Sequence, residues 1–422
     1  MTDLLDPILD PAFKGFPHGA APLRRSEIGA RGWNVIDGDL PLPLALVRRS
    51  ALAHNLGWMQ RYAEDNGVRL APHGKTTMSP QLLRGQLEAG AWGLTFANVT
   101  QLQAGLAAGA RRLLIANQVL DAADLGAIAA LGEARPDVRV IFLLDSPAQL
   151  KLIEDTAPGR PFEVLLEIGV PGGRTGCRTH DEALALARRA HASTAVSLVG
   201  LECYEGLGNT GDSATDRAAA RALMDRFARV ARACDGAGFF DADEIVLSAG
   251  GSGVFDLVVP RLRMELSRPV AGLLRSGCYV THDQGQYKRL VAAVDARLGC
   301  AVDSGLRSAL EVWALVQSLP EAGLAILAVG KRDLSYDLGM PVPLASCARA
   351  SRTLRPAPAA WAVDKLNDQH AYLRIDDAGQ GLQVGDRVVL GISHPCTTFD
   401  KWRWMPIVDD DYRVVDALVT WF

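Results

Sequence analysis

A histidine and a cysteine lie two positions apart in GISHPCTTFDKW, residues 391–402. If this stretch is extended, the side chains of His394 and Cys396 point to the same face, where they could bind one metal ion. Two protein ligands are too few for a closed structural zinc site, which normally has four. The pair is therefore half of a metal site, a reactive cysteine, or two ordinary core side chains.

A second candidate is Lys75, which follows the apolar run VRLAP (68–72) and stands two positions after His73. A lysine amine beside a phosphate-binding site fits a Schiff base with pyridoxal 5'-phosphate (PLP), a cofactor that stabilises carbanions. Arg174, among the glycines of PGGRTG, and Tyr204, in CYEG, could then contact the cofactor ring. The alternative is that Lys75 is an ordinary exposed lysine.

Two loops carry the glycines that a phosphate site requires. SAGGSG (248–253) and SGCY (276–279) each follow an apolar run. Glycine lets backbone N–H groups turn toward an anion and approach it closely. Loops after the seventh and eighth strands of a barrel often bind phosphate together. The two loops therefore predict a phosphate site, with a flexible turn as the alternative interpretation of SAGGSG.

Short apolar runs alternate with Ala/Leu/Arg-rich amphipathic segments from about residue 45 to 280, the pattern of βα units around a parallel sheet. Helices are expected to begin after the capping residues Ser79, Ser146 and Thr179. The count favours a (β/α)8 TIM-type barrel, which brings the loops above to one end. A doubly wound open sheet is the alternative, although no G-x-G-x-x-G opens the first helix. The expected strands are VRLAP (68–72), WGLTFA (92–97), RLLIA (112–116), RVIFLL (139–144), FEVLLEI (162–168), VSLVGLECY (196–204), EIVLSAG (244–250) and AGLLRSG (271–277).

The pattern changes after about residue 285, where short strands and turns predict a C-terminal, mostly-β domain. We expect three parts: an N-terminal segment (1–42) that joins the β domain, a PLP-binding barrel (43–284), and the β domain carrying the metal pair (285–422). The expected strands are VAAVDARLGCAV (291–302), LAILAVGKRDL (324–334), HAYLRIDD (370–377), DRVVLGISHP (386–395) and YRVVDALVTWF (412–422), with turns at DDAG (376–379) and VGD (384–386).

Composition limits the class of protein. The 422 residues are 49% hydrophobic and 22% charged, with a formal net charge of −4, which is typical of a globular protein without nucleic-acid or membrane partners. The N-terminal MTDLLDPILDPAFKGFPHGA has acids before any base and lacks the apolar core of a secretory signal, so we expect a cytoplasmic protein. The seven cysteines are odd in number and irregularly spaced, which predicts free thiols or metal ligands.

Taken as an ordered set, PHGKT, the arginine of PGGRTG, GLECYEG, SAGGSG and HPC resemble the fold-type III PLP enzymes. The most similar group comprises D-serine dehydratase and D-threonine aldolase, including D-threo-3-hydroxyaspartate dehydratase, and the resemblance runs from about residue 40 onward. It implies a homodimer in which Lys75 holds PLP and acts as the Cα base. It further implies the following neighbours: Arg174 at the phenolic oxygen of PLP, Tyr204 at the pyridine nitrogen, and Ser248, Gly250, Gly251, Gly277 and Tyr279 around the phosphate. His73, two positions before the lysine, could hydrogen-bond near the cofactor.

The resemblance also implies that His394 and Cys396 bind a divalent metal, and that His370 lines the site or has a structural role. The softness of the donors favours Zn²⁺, with Mn²⁺ as the alternative. A tyrosine at the pyridine nitrogen keeps the electron sink weak, so a Lewis acid is needed to expel the β-hydroxyl.

We therefore expect a D-3-hydroxy amino acid dehydratase that releases a 2-oxo acid and ammonia. The main alternative is an aldolase of D-threonine or 3-hydroxyaspartate that gives glycine and an aldehyde. The family's aldolases tend to carry Asp where this chain has Cys396, which favours the dehydratase. An amino-acid racemase and a non-catalytic PLP-binding protein are less favoured, because neither needs a metal pair in a long β domain.

Overall fold

The computed structural model describes residues 4–206, 213–251, 253–300, 304–375 and 381–422. The turn expected at DDAG (376–379) lies outside these residues, as does Ser252 of the SAGGSG loop. Within the described residues, no helix is long and apolar enough to cross a membrane.

The N-terminal segment contacts the C-terminal third of the chain. Strand β1 (Ile8–Leu9) pairs antiparallel with β2 (Leu23–Arg24), and a 3-10 helix (Arg25–Arg31) follows. The Lys14 amine lies 3.1 Å from the Asp333 carboxylate. Strand β3 (Leu44–Arg48) comes next and pairs with two strands of the C-terminal third, at residues 310–313 and 407–408.

Eight parallel strands form the barrel, as predicted. They run in the spatial order β4-β11-β10-β9-β8-β7-β6-β5, so each strand lies beside its neighbours in the sequence. The two ends of the sheet meet, because the Thr95 N–H donates to the Pro72 carbonyl at 2.9 Å and His73 forms a parallel bridge with Thr95. The strands are β4 (Arg69–Leu70), β5 (Leu94–Phe96), β6 (Arg112–Gln118), β7 (Arg139–Leu144), β8 (Phe162–Ile168), β9 (Val196–Cys203), β10 (Ile245–Ala249) and β11 (Val270–Leu274).

Apolar side chains fill the barrel, so it is a packed core rather than a channel. Alternate residues of the strands point inward, and the buried interior includes Leu114, Ile141, Leu165, Val199 and Val246. The helices around the strands are α1 (Arg49–Asp65), α2 (Pro80–Glu88), α3 (Leu102–Ala108), α4 (Ala122–Ala134), α5 (Pro147–Asp155), α6 (His180–Ala192), α7 (Ser213–Gly236), α8 (Phe255–Leu262) and α9 (Gln286–Leu298).

The expected helix caps form at two of three positions. The Ser146 side chain accepts the Gln149 N–H at 3.2 Å, and Thr179 caps α6 by accepting the Glu182 N–H at 3.1 Å. The Ser79 side chain makes no capping bond. Helix α2 begins instead at Pro80, whose fixed φ suits the first helical position.

The C-terminal part is mostly β, as predicted, and its sheet is largely antiparallel. Strand β12 lies near its centre and pairs with β3, β13 and β18. The strands are β12 (Leu310–Glu321), β13 (Leu324–Leu327), β14 (Val342–Cys347), β15 (Arg355–Pro356), β16 (Ala362–Leu366), β17 (Ala371–Arg374), β18 (Arg387–Gly391), β19 (Trp404–Val408) and β20 (Val414–Val419).

The strand expected at VAAVDARLGCAV is wrong. Its residues up to Leu298 belong to helix α9, which buries Tyr287, Val291 and Val294 on one face. These positions are four and three apart, the spacing of a helix face. The short VAAV run resembled a strand because two of these buried positions fall inside it.

Candidate active site

A cavity of about 210 Å³ lies at the C-terminal ends of the barrel strands, where the β-rich part meets the barrel. It brings together six of the residues singled out in the sequence from both parts of the chain: His73, Lys75, Arg174, Tyr204, His394 and Cys396. Gly250, Gly251 and Gly277 also line it. A second cavity of about 380 Å³ includes Arg139 and Glu163, at the opposite ends of the strands, and contains none of these residues.

Lys75 occupies a tight turn, the 3-10 helix Gly74–Thr76, directly after barrel strand β4. Its side chain is exposed toward the cavity. The turn has no room for larger residues, since a Cβ on Gly74 would lie 2.5 Å from the Phe96 ring. A Cβ on Gly277 would lie 2.5 Å from the His73 carbonyl, so the loop after β11 packs closely on the lysine turn. This packing fixes where the Lys75 amine can reach.

His73 lies beside three cations in the cavity wall. Burial and the charges of Lys75, Arg275 and Arg174 hold the pKa of His73 well below its usual range. Its ring is therefore neutral at physiological pH. The buried Nδ1 atom has no hydrogen-bond partner among the described residues. A neutral ring with a free nitrogen can hydrogen-bond a ligand in the cavity.

Arg174 and Tyr204 form a pair at the cavity mouth. The guanidinium carbon of Arg174 lies 5.2 Å from the centre of the Tyr204 ring, within the range of a cation–π contact. Burial and the nearby Glu205 raise the pKa of Tyr204. The phenol therefore stays neutral and can hydrogen-bond a ring nitrogen without protonating it.

An ion pair at the base of the cavity was missed by the sequence analysis. Arg275 donates to the carboxylate of Glu202 and, at 2.6 Å, to the hydroxyl of Ser248. Burial raises the pKa of Glu202 to about 8, against the opposing charge of Arg275. One Glu202 oxygen has no partner among the described residues. Arg275 directly follows strand β11. This position at the end of a barrel strand is the one sequence feature that could have identified Arg275 as a site residue.

The glycine loop after β10 already binds an anion, the side chain of Glu205. The carboxylate accepts the Gly250 N–H at 3.0 Å and also the Gly251 N–H. A Cβ on Gly251 would lie 3.2 Å from this carboxylate. The loop therefore presents converging donors to an anion, as a phosphate site requires. A cofactor phosphate could use these two donors only after Glu205 moves aside.

Three of the residues singled out in the sequence lie away from the cavity surface. The Ser248 hydroxyl is buried against Arg275 and the Leu273 carbonyl. The Tyr279 hydroxyl accepts from Gln86 at 3.1 Å and is buried. His370 lies in the turn between β16 and β17, with its carbonyl bonded to the Asn367 N–H. Within the described chain, these side chains are absent from the cavity lining.

The stretch containing His394 and Cys396 is not extended throughout, which corrects the expected geometry. Pro395 has φ −59° and ψ −46°, and Cys396 begins the short helix α10 (Cys396–Phe399). Proline suits this position because its fixed φ is helical. Both side chains nevertheless line the same cavity. The Cys396 sulfur lies 3.6 Å from the hydroxyl of Thr76, the residue after Lys75.

Charge and hydrogen bonding make His394 and Cys396 a strongly polar pair. Burial lowers the pKa of His394, but the contacts with Cys396 and Asp337 outweigh it and raise the pKa to about 9. A hydrogen bond from Cys278 and the contact with His394 hold the pKa of Cys396 well below its usual range, despite burial. Nδ1 of His394 lies 2.7 Å from the Asp337 carboxylate. An imidazole oriented by a carboxylate, beside a thiolate, is a donor set that suits zinc.

Comparisons with known families agree with this arrangement. Residues 47–271 match the family described as alanine racemase, N-terminal domain. Residues 309–408 match the putative serine dehydratase domain. The chain therefore belongs to the alanine racemase N-terminal domain family, which confirms its resemblance to the fold-type III PLP enzymes.

Individual relatives cover most of the chain. It is 26% identical to the D-threonine aldolase of Arthrobacter sp. over 366 residues, 84% of this chain and 86% of that protein. The structure of D-threonine aldolase from Filomicrobium marinum has a TM-score of 0.75 at 23% identity, covering 92% of this chain and 97% of that one. D-threo-3-hydroxyaspartate dehydratase from Delftia sp. HT23 has a TM-score of 0.71 at 21% identity, covering 92% and 99%. The two structures share this fold.

Proposed function

We propose that this chain is a PLP- and metal-dependent lyase of D-3-hydroxy amino acids, acting as a dehydratase that yields a 2-oxo acid and ammonia. One observation carries the proposal: the Lys75 turn and the His394–Cys396 pair line one cavity and are joined through Thr76, whose hydroxyl is 3.6 Å from the Cys396 sulfur. Activation at Cα and departure of a group from the adjacent Cβ would then both take place within this one cavity.

The barrel supplies the cofactor side of the reaction. When bound, PLP delocalises the electron pair left by removal of the Cα proton. Lys75 would hold the cofactor and take that proton on its amine. Arg174 would neutralise the phenolic oxygen, and Tyr204 would contact the pyridine nitrogen. The phosphate would lie against Gly277 and, once Glu205 withdraws, against Gly250 and Gly251.

The β-rich part supplies the leaving-group side. His394 and Cys396 would hold a divalent cation, with Asp337 fixing the imidazole orientation through the 2.7 Å contact at Nδ1. Zn²⁺ is the preferred ion because a thiolate is a soft ligand, and Mn²⁺ is the alternative. The cation would act as a Lewis acid on the β-hydroxyl of the substrate. We propose that residues 43–284 bind the cofactor, that residues 285–422 carry the metal pair and are joined by the segment 1–42, and that the chain forms a homodimer.

The relatives support the substrate class. Their names specify D-threonine and D-threo-3-hydroxyaspartate, which are 3-hydroxy amino acids of D configuration. A cysteine-to-alanine mutant of D-threo-3-hydroxyaspartate dehydratase has been solved in the metal-free form, which supports a metal-binding family. The preference for elimination in this chain rests on Cys396, where the family's aldolases tend to carry Asp.

The alternative is an aldolase that cleaves the Cα–Cβ bond to give glycine and an aldehyde. The observation in its favour is that the Arthrobacter aldolase aligns with 84% of this chain. Both reactions need a cation beside the β-hydroxyl, so the geometry of the cavity serves either.

Product analysis separates the two reactions. Purified protein with PLP and Zn²⁺ is incubated with D- and L-serine, threonine and threo-3-hydroxyaspartate. We expect ammonia and a 2-oxo acid from the D isomers, in equal amounts. Formation of glycine and an aldehyde in equal amounts would refute the dehydratase assignment and show that the chain is an aldolase. No product from any D isomer, while Lys75→Ala protein binds PLP as tightly as wild type, would refute both.

A further inference from the structure

A second cysteine lies against the metal pair. Cys278 is on the 3-10 helix Cys278–Val280, which follows barrel strand β11, and its side chain lines the same cavity as Cys396. The two sulfur atoms are 4.0 Å apart. The Thr76 hydroxyl contacts both of them, at 4.0 Å from Cys278 and 3.6 Å from Cys396. The thiols are therefore held together by a third segment of the chain.

This spacing is close to that of two thiolates on one metal ion. Zn–S bonds of about 2.3 Å at a tetrahedral angle place the two sulfurs about 3.8 Å apart. In the described residues no three His, Cys, Asp or Glu side chains already surround a common point. The sulfur pair would need to close by only about 0.2 Å to meet the zinc geometry. The His394 imidazole contacts Cys396 and supplies a nitrogen donor.

We propose that Cys278 is a third protein ligand of the metal, so that the ion is bound by His394, Cys396 and Cys278. The inference rests on the proposed function and deepens its metal site. A catalytic zinc ion with one histidine and two cysteines keeps a fourth position open and can expand to five ligands. That leaves room for a substrate hydroxyl. Two thiolates also select Zn²⁺ over Mn²⁺ and Mg²⁺, since soft ligands favour the softer ion.

A hydrogen bond or a disulfide between the two cysteines would also bring their sulfurs side by side. A simple thiol-to-thiolate hydrogen bond would leave metal binding to His394 and Cys396. A disulfide would need the sulfurs to approach to about 2.0 Å, half their present separation. The number of sulfur atoms on the bound ion distinguishes these two cases from a shared metal ion.

Zinc X-ray absorption of the wild-type holoprotein counts those sulfurs directly. We expect two Zn–S distances of about 2.3 Å per ion, against one if Cys278 is only a neighbour. Cys278→Ser should then show one Zn–S distance and bind zinc about 100-fold more weakly, measured by competition with a chromophoric chelator. In cobalt-substituted protein, thiolate charge-transfer absorbance should fall by about half. Cys300→Ser is the matched control, because Cys300 lies outside the cavity lining, and it should match wild type.

The outcomes separate this inference from the proposed function. If wild-type protein shows a single Zn–S distance and Cys396→Ser abolishes it, Cys278 is not a ligand. The site formed by His394 and Cys396 would then stand. A disulfide between the two cysteines in the zinc-loaded protein would equally exclude Cys278 as a ligand. If wild-type protein binds PLP but no zinc, the metal part of the proposed function fails as well. The wild-type measurement needs no variant, so a poorly folding Cys278→Ser does not affect it.

Discussion

Replacing Asp337 by Asn should weaken metal binding in a way that depends on pH. Asp337 lies 2.7 Å from Nδ1 of His394 and also accepts the Thr397 hydroxyl at 2.7 Å. Removing an outer carboxylate of this kind typically costs 10- to 100-fold in metal affinity, or about 1.4 to 2.7 kcal/mol. The Asp337 side chain is 40% exposed, which places the expected loss near tenfold.

The proton on His394 sets the pH dependence. Because its pKa is raised to about 9, the imidazole is protonated at pH 7.5 and must lose that proton to bind zinc. Asp337 stabilises the competing proton as well as the metal, so Asp337→Asn lowers the pKa and relieves the competition. Each unit by which the pKa of His394 falls weakens the competition from the proton about tenfold at pH 7.5. It therefore cancels about a tenfold loss of zinc affinity at that pH. At pH 9.5 the proton has largely left, and the full loss should appear.

Chelator competition at both pH values measures this difference. Wild-type zinc affinity should rise with pH up to about 9, where His394 loses its proton. Asp337→Asn should lie close to wild type at pH 7.5 and about tenfold below it at pH 9.5. Asp368→Asn is the control, because this exposed aspartate pairs only loosely with Arg332, at 3.8 Å. An affinity for Asp337→Asn equal to that control at pH 9.5 would refute the assignment of His394 as an oriented ligand.

Three further results are expected. Lys75→Ala should lose the visible absorbance of bound PLP, whereas Lys288→Ala, on helix α9, should keep it; equal spectra would remove Lys75 from its role. Gly277→Ala should destabilise the protein by about 1 to 3 kcal/mol in urea unfolding and weaken PLP binding, because the new Cβ would lie 2.5 Å from the His73 carbonyl. Gly126→Ala, in helix α4 with open space around it, should be neutral or stabilising by up to about 1 kcal/mol. EDTA should abolish turnover without removing PLP absorbance, and zinc should restore it; turnover that survives EDTA would refute the metal requirement.

Local pattern was sufficient to predict the barrel strands. FEVLLEI was predicted as residues 162–168, and the strand is Phe162–Ile168. RVIFLL agrees equally well at Arg139–Leu144. Parallel strands are buried on both faces, so each appears in the sequence as a continuous apolar run. Such a run can be recognised without knowing which strands it pairs with. VRLAP was predicted over 68–72 and the strand is Arg69–Leu70, although the Ala71 N–H still donates to the Leu274 carbonyl at 2.8 Å and the Pro72 carbonyl accepts the Thr95 N–H at 2.9 Å.

The two local errors have a common cause. The helix at 286–298 and the turn at Pro395 were both interpreted as extended from a few residues. Short apolar runs do not distinguish a strand from one face of a helix. Helix α9 buries Tyr287, Val291 and Val294 on one face, and the turn at Pro395 suits the fixed helical φ of proline.

The sequence alone determined the order of the chemical groups: a lysine after the first strand, glycine loops after the seventh and eighth, and a His–Cys pair in the β-rich part. It did so because each lies at the end of a recognisable element. Only the tertiary structure brought Cys278 to Cys396, 118 positions along the chain, and Asp337 to His394, 57 positions away. It also placed the Glu205 carboxylate in the glycine loop, 45 positions from Gly250. The first contact depends on how the barrel meets the β-rich part, and the other two depend on how loops within one part pack together. Neither periodicity nor spacing encodes such packing.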